Sequence, residues 1–202
     1  MPKRVFTAAD LDAVPAGGEI FLPRGSLVTD EARERARERG ARIRLEGSAD
    51  APASGQLVVL AADHAGFELK EYLKKFLRES GYEVRDLGPE SAAPVDYPDF
   101  ASRVAHAVAA GEAWRGIMID AAGVGSAMAA NKIPGARAAA CSDRATARTS
   151  REHNDANVLT LGARLLLPED AREIAALWLE TPFAGGRHQR RVDKITALDR
   201  RP

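Results

Sequence analysis

A loop with two glycines, Asp120-Ala121-Ala122-Gly123-Val124-Gly125-Ser126, follows a short apolar run of the sequence. Glycine allows successive backbone N–H groups to turn toward one point, which suits a bound anion or a developing oxyanion. A tight turn between a strand and a helix, with no ligand, explains the same residues equally well.

A second candidate is the basic segment Gly185-Gly186-Arg187-His188-Gln189-Arg190-Arg191. Arg187 and Arg191 are four residues apart, so a helix would present both on one face. The planar fork of a guanidinium matches the oxygens of a phosphate group. A solvated basic C-terminus is the alternative interpretation of this segment.

Two histidines stand beside carboxylates, His64 after Asp63 and His153 before Asn154-Asp155. Histidine titrates near neutral pH, so either one can move a proton in catalysis. Either can equally be a capping or hydrogen-bonding residue.

Apolar runs alternate with amphipathic stretches from Leu57 onward. The predicted strands are 57–62, 82–87, 116–120, 137–141 and 157–161. The predicted helices are 67–80, 99–110, 124–132, 143–153, 169–180 and 189–198. This alternation predicts an α/β fold with a doubly wound, mostly parallel, five-stranded Rossmann-like sheet. Ligands of such sheets bind beyond the carboxyl ends of the strands, so the candidate site loops are 63–64, 120–125, 141–144 and 161–164.

Three parts of the chain are predicted: a small α+β N-terminal appendage (1–46), a linker (47–55) and the α/β domain (56–202). The linker is rich in Gly, Ala, Ser and Pro and lacks an apolar period. In the appendage we expect a helix over 8–14, a strand over 19–22 and a turn at 23–25. A helix capped by Thr29 and ended by Gly40, and a strand over 41–45, follow.

Composition excludes several classes of function. Lys plus Arg and Asp plus Glu number 29 each, so no overall positive charge favours nucleic acid or an anionic membrane. The single cysteine cannot form an internal disulfide, and no N-terminal apolar stretch predicts a signal peptide or a membrane span. We therefore expect a cytoplasmic protein.

The α/β domain resembles ribose-5-phosphate isomerase B and the related galactose-6-phosphate isomerases. The five matching segments are Ala62-Asp63-His64-Ala65-Gly66, Asp96-Tyr97-Pro98, Gly123-Val124-Gly125 through Ala129-Ala130-Asn131-Lys132, residues 151–157, and Gly185-Gly186-Arg187-His188-Gln189 with Arg191. Their order and spacing make the resemblance specific.

The resemblance implies aldose–ketose isomerisation of a sugar phosphate, most simply ribose 5-phosphate to ribulose 5-phosphate, without metal or cofactor. It assigns ring opening to His153 and backbone donors for the enediolate to Gly123, Val124 and Gly125. The sugar would be lined by Asp63, His64, Tyr97, Asn131 and Asn154. The phosphate would be held by Arg187, His188 and Arg191, with Arg164 as a weaker candidate.

The chain departs from the family at the residues that transfer the proton. The family pattern in the loop is Cys-Gly-Thr-Gly-x-Gly, or a glutamate directly after the last glycine, whereas this chain has Asp120, Ala122 and Ser126. Asp120 is the only carboxylate left in the loop, so it is the predicted base. The alternative is a phosphosugar-binding protein with impaired catalysis.

The resemblance also implies a homodimer or homotetramer whose sites are built from two subunits. The segment from Gly18 to Thr29 and the helix after it resemble extensions found on enzymes of bacterial microcompartments. Association with a microcompartment is therefore a further hypothesis. A simple docking or dimerisation arm is its alternative.

Overall fold

The computed structural model describes residues 5–15, 17–22, 26–45 and 56–199, and its contacts divide the chain into two units, 1–50 and 51–202. The predicted turn at 23–25 and the predicted linker lie outside the described residues. No helix among the described residues is long and apolar enough to cross a membrane.

The described residues of the N-terminal unit form two pairs of short parallel strands, a 3-10 helix and an α-helix. In order it has β1 (Val5–Phe6), a 3-10 helix (Ala8–Ala13), β2 (Glu19–Leu22), β3 (Leu27–Val28), α1 (Asp30–Glu38) and β4 (Arg42–Leu45). Strand β1 pairs with β3, and β2 pairs with β4. The predicted cap is present, because the Thr29 hydroxyl accepts a hydrogen bond from Ala32 N at 3.2 Å. The two-residue strands β1 and β3 were not predicted, since so short a segment carries no period.

This unit has a small apolar core of its own. The buried residues are Phe6, Leu11, Val14, Leu22, Ala32, Ala36 and Ala41. Their contacts join the 3-10 helix, the strands and α1.

The second unit is the predicted α/β domain. Its elements are β5 (Leu57–Ala62), α2 (Phe67–Glu79), β6 (Glu83–Asp86), α3 (Tyr97–Ala109), β7 (Arg115–Asp120), α4 (Val124–Ala130), β8 (Ala138–Ala140), α5 (Arg144–Asn154), β9 (Val158–Gly162), α6 (Pro168–Glu180), a 3-10 helix (Gly186–His188) and α7 (Gln189–Leu198). The predicted bounds of β5 and α7 are the same as these, and the other predicted bounds lie within two residues of them.

The sheet has the order β6-β5-β7-β9-β8, and every neighbouring pair is parallel. The predicted parallel five-stranded sheet is confirmed. One apolar core packs α2, α5 and α6 on one face, and a second packs α3 and α4 on the other. Both faces of the central strands are therefore covered, which explains why β5 and β7 are continuous apolar runs.

Strand order reverses between β5 and β7. The chain passes from β5 outward to β6, then returns across β5 to place β7 on its other side. Open α/β sheets bind ligands beyond the carboxyl ends of the strands at such a switch point. The two loops that leave β5 and β7 meet there.

Candidate functional site

Asp63 and Asp120 lie side by side at this switch point. Ala62 pairs with Ile119 in the parallel ladder, and the Asp63 N–H continues it with a 2.9 Å hydrogen bond to the Ile119 carbonyl. Both residues follow one that packs in the core under α2 and α6. Because side chains alternate along a strand, both aspartates face the side of the sheet that carries α3 and α4.

The Asp120 carboxylate is fully occupied by its own loop. Oδ1 accepts hydrogen bonds from Ala122 N at 2.7 Å and from Gly123 N. Oδ2 accepts from Ser126 N at 3.0 Å and from the Ser126 hydroxyl, which is itself buried. This carboxylate closes the turn and caps the start of α4, so its geometry favours the structural role over that of a base. Its assignment as the base stays a prediction.

The glycine loop leaves two backbone donors available. The Gly123 N–H binds Asp120, and its carbonyl accepts from the Thr160 hydroxyl at 2.7 Å. The N–H groups of Val124 and Gly125 make no hydrogen bond within the part of the chain that the structure describes. The predicted set of donors is thus narrowed to two, because Asp120 already uses the first.

Glycine is required in this loop for two separate reasons. Gly123 has φ +78°, a conformation that residues with a Cβ rarely adopt, and it lies against the backbone of Leu161 and Gly162. At Gly125, an added Cβ would come within 2.8 Å of the Tyr97 hydroxyl. Tyr97 therefore lies directly over the loop, at the start of α3, with 39% of its surface exposed.

The loop after β5 presents a carboxylate and an imidazole at the same edge. Asp63 Oδ1 accepts hydrogen bonds from Ala65 N at 2.8 Å and Gly66 N at 2.9 Å. His64 Nδ1 lies 3.1 Å from the Val95 carbonyl oxygen and 3.4 Å from the Val95 N, so both contacts hold the imidazole beside Val95 and the tautomer decides which of them is a hydrogen bond.

Arg164 belongs to this edge as well. It follows β9, its side chain is exposed, and its N–H donates to the Ala121 carbonyl at 3.0 Å. The carboxyl edge therefore brings together one set of predicted site residues: Asp63, His64, Tyr97, Asp120, Gly123, Val124, Gly125 and Arg164.

The remaining predicted residues lie elsewhere. Helix α5 runs back from the carboxyl end of β8 to the amino end of β9, and His153 and Asn154 are its last two residues. Asn131 ends α4 at the same edge, where its amide donates to the Ala138 carbonyl at 2.9 Å and accepts from Ala138 N at 2.8 Å. Those bonds tie α4 to β8, and substrate binding by Asn131 stays a prediction.

The basic segment 185–191 contacts the end of α5 through two stacked histidines. The rings of His153 and His188 are stacked, with centroids 4.2 Å apart and planes within 4° of parallel. Arg187 Nε lies 3.4 Å from His188 Nε2, and the side chains of Arg187 and Arg191 are exposed at the start of α7.

An arginine–aspartate cluster, formed by Arg137, Arg151 and Asp155, fixes the end of α5. Asp155 has φ 46° and is the only described residue other than glycine with a positive φ. Its Oδ1 accepts from Arg151 at 2.8 Å, and its Oδ2 accepts from Arg137 at 2.8 Å. Arg151 is only 3% exposed. This cluster was not predicted from the sequence, because Arg137 is 18 residues from Asp155 and no local pattern indicates that the two side chains pair.

Burial lowers the pKa of one residue of this cluster, Arg151. Desolvation lowers the pKa of Arg151, while its contact with Asp155 acts in the opposite direction. The cluster is thus a structural ion pair that stabilises the turn after His153.

One subunit does not bring all the predicted residues into a single site. The strands between the two edges are five or six residues long, so the edges are about 15 Å apart at about 3.3 Å per residue. His153 and Asn154 lie at the amino edge, and the glycine loop lies at the carboxyl edge. No group of three or more metal-ligating side chains occurs among the described residues.

Comparison with known proteins gives a consistent result for the α/β domain. Residues 58–195 match the model of a family described as Ribose/Galactose Isomerase. Ribose-5-phosphate isomerase B of Escherichia coli is 47% identical over 144 residues, which cover 71% of this chain and 97% of that protein. A D-erythrulose-4-phosphate isomerase of Pectobacterium atrosepticum is 39% identical over 140 residues, covering 68% of this chain and 91% of that protein.

Solved structures share the fold. Ribose-5-phosphate isomerase B of Clostridium thermocellum superimposes with a TM-score of 0.70 and 48% identity, covering 71% of this chain and 97% of that one. The enzyme from Mycoplasma genitalium with bound ribulose-5-phosphate has a TM-score of 0.70 and 40% identity, covering 74% and 99%.

Proposed function

We propose that this chain, which belongs to the ribose/galactose isomerase family, interconverts an aldose phosphate and its ketose phosphate. Ribose 5-phosphate and ribulose 5-phosphate are the proposed pair, since relatives named for that reaction match almost their whole length. The main structural support is the loop at the switch point, where the N–H groups of Val124 and Gly125 are left available beside Asp63 and Tyr97.

Those two donors suit the charge that the reaction develops. Removing the proton from C2 of an open-chain aldose makes an enediolate, whose negative charge rests on the oxygens at C1 and C2. Preorganised N–H groups stabilise such an oxyanion more than they stabilise the neutral sugar, which lowers the barrier. His153 would supply the proton transfer that opens the ring, and the phosphate would bind Arg187, His188 and Arg191.

The complete site belongs to a homodimer in this proposal. The donors lie at the carboxyl edge and His153 lies at the amino edge of the same sheet, so one substrate meets both only across two subunits. Exposed apolar residues support such a contact: Val124 is 49% and Met128 64% exposed, one turn apart on α4 beside the loop. Covering them with a second copy would remove apolar surface from water at the site itself. A homotetramer is compatible with the same contact.

A second function has one observation in its favour. Asp120 is committed to its loop, and Ala122 carries no hydroxyl, so the residues that replace the family's cysteine and threonine show no free base. A protein with the loop and the arginines but without a base would bind phosphosugars and not turn them over.

An isomerase assay separates the two functions. The purified protein should be assayed against tetrose, pentose and hexose phosphates, with phosphosugar binding measured by calorimetry in the same samples. Turnover of ribose 5-phosphate supports the isomerase. Tight binding with no turnover of any sugar supports the binding protein.

Cytoplasmic location and association of the N-terminal unit with a bacterial microcompartment remain proposals. The support for the association is the sequence pattern over 18–29 and the separate apolar core of that unit. Fusing residues 1–50 to a fluorescent reporter in a host that forms microcompartments would test the association, with diffuse fluorescence counting against it.

A further inference from the structure

We infer that Asp63 is the catalytic base of this chain, in place of a residue of the glycine loop. The inference rests on the proposed isomerase function and names the group that takes the proton from C2. It follows from the difference between the two neighbouring carboxylates at the switch point.

Asp120 has no oxygen to offer. Four donors of its own loop bind its two oxygens, and Ser126, which supplies two of them, is fully buried. A base must reach the substrate proton with a lone pair, and hydrogen bonds to the carboxylate compete directly with that contact. Freeing Asp120 would break the turn that positions the N–H groups of Val124 and Gly125.

Asp63 has one oxygen committed and one available. Its Oδ1 accepts both hydrogen bonds that close the turn to α2, from Ala65 N and Gly66 N. Its Oδ2 accepts none within the described residues, yet it is not among the side-chain atoms buried from solvent without a partner. The residue is only 5% exposed, so its backbone and Oδ1 are fixed while Oδ2 keeps contact with solvent.

The position of Asp63 fits a base that works with the loop donors. Its N–H binds the Ile119 carbonyl, one residue before Asp120, so the two strand ends are in direct contact. Gly66 presses against the same carbonyl, where an added Cβ would lie at 2.4 Å, and this contact fixes the loop that carries Asp63. Both aspartates point toward the face covered by α3 and α4, where Tyr97 meets Gly125.

The transfer of the carbon-bound proton from C2 to C1 balances with Asp63 as its only carrier. Oδ2 takes the proton from C2, the C2–H electrons form the C1=C2 bond, and the carbonyl electrons move to O1 as an oxyanion at the loop N–H groups. The protonated Asp63 then returns its proton to C1. The hydroxyl proton of O2 passes to O1, so the aldose has become the ketose and the carboxylate is regenerated.

The variant Asp63→Asn tests this assignment with little structural change. The amide keeps an oxygen for Ala65 N and Gly66 N and replaces only the uncommitted Oδ2. We expect kcat to fall by about 100- to 10,000-fold, the usual contribution of a general base. Phosphosugar affinity by calorimetry and the thermal midpoint should remain near native values. In deuterated water, the variant should also fail to exchange the C2 proton of the bound sugar.

The matched control is Asp143→Asn. Asp143 follows β8, and its Oδ1 likewise accepts a backbone bond, from Thr146 N at 2.7 Å, but it lies away from the switch point. This variant should keep native turnover.

Three results separate the possible failures. An inactive native protein removes the proposed isomerase itself. An active native protein whose Asp63→Asn variant turns over within tenfold of native, or still exchanges the C2 proton, overturns Asp63 as the base. A well-folded Asp120→Asn variant that binds the sugar but does not exchange it, with Asp63→Asn active, would return the role to Asp120.

Discussion

The two edges of the parallel sheet use different chemistry to hold their residues. At the carboxyl edge, Asp63 and Asp120 accept hydrogen bonds from backbone N–H groups and shape loops whose glycines expose further donors. At the amino edge, side chains hold side chains, through the Arg137–Asp155–Arg151 cluster and the stacked rings of His153 and His188.

This difference matches what each edge would have to do. Backbone donors fixed by a turn suit an oxyanion that forms during the reaction, since they need no reorganisation. Charged and aromatic side chains suit a phosphate dianion and a proton on the sugar ring, which are present before the chemistry begins. Neither edge contains all the predicted site residues, so the proposed reaction requires two subunits to pair with the carboxyl edge of one against the amino edge of the other.

The largest expected effect comes from mixing two inactive variants. Asp63→Asn disables the carboxyl edge and His153→Ala disables the amino edge, so each homodimer should be inactive. When the two variants are co-expressed, about half of the dimers contain one subunit of each kind. Each mixed dimer has one intact composite site and one site with both changes, so the mixture should show about a quarter of native activity. A mixture no more active than its two parents would place each site within one subunit.

The second largest effect should come from removing one arginine, which should weaken the binding of the sugar phosphate. Arg187→Ala deletes the proposed charge-assisted fork to the phosphate, and the expected loss is about 1.5–3 kcal/mol, or roughly 10- to 150-fold in Kd. Calorimetry with ribose 5-phosphate measures the change. Arg190→Ala, at an exposed neighbouring position on α7, is the control and should bind normally. Equal affinities for native protein and Arg187→Ala would remove the arginine from the phosphate site.

The amino-edge cluster should contribute to stability. Asp155→Ala leaves the buried charge of Arg151 without this carboxylate. It also places alanine, which has no polar side chain to form local hydrogen bonds, at φ 46°. The free energy of unfolding is expected to fall by about 2–4 kcal/mol. Asp155→Gly restores the backbone freedom and should recover about 1 kcal/mol of it. Urea unfolding of both variants measures the difference, and native stability in Asp155→Ala would show that the cluster contributes little.

Shortening the chain should have the smallest effect. A chain beginning at Gln56 should remain soluble, unfold cooperatively and keep a thermal midpoint near that of the full chain. The reason is that the first unit has its own core and the α/β domain has two others. Aggregation of the shortened chain alone would show that residues 1–55 complete the core or the oligomer contact.

The sequence determined the elements of the α/β domain and where most of them begin. Continuous apolar runs and helical stripes such as Leu69, Leu73 and Leu77 are local patterns, and their burial follows directly from their period. Five short motifs in order were sufficient to indicate the family. Local sequence patterns did not decide the role of Asp120, because a carboxylate before a glycine loop can act either as a catalytic base or as the cap of the following helix.

Only the tertiary structure decided which groups remain available. Whether an oxygen of Asp63 or Asp120 is uncommitted depends on the positions of N–H groups several residues away, and loop sequence does not specify those positions. Likewise, His153 and Gly125 fall on opposite edges because α5 runs antiparallel to the strands it connects. The amino-acid sequence determines the chemistry of each side chain and the spacing of apolar residues along an element. Which groups can contact a substrate depends on how the strands, helices and turns pack together.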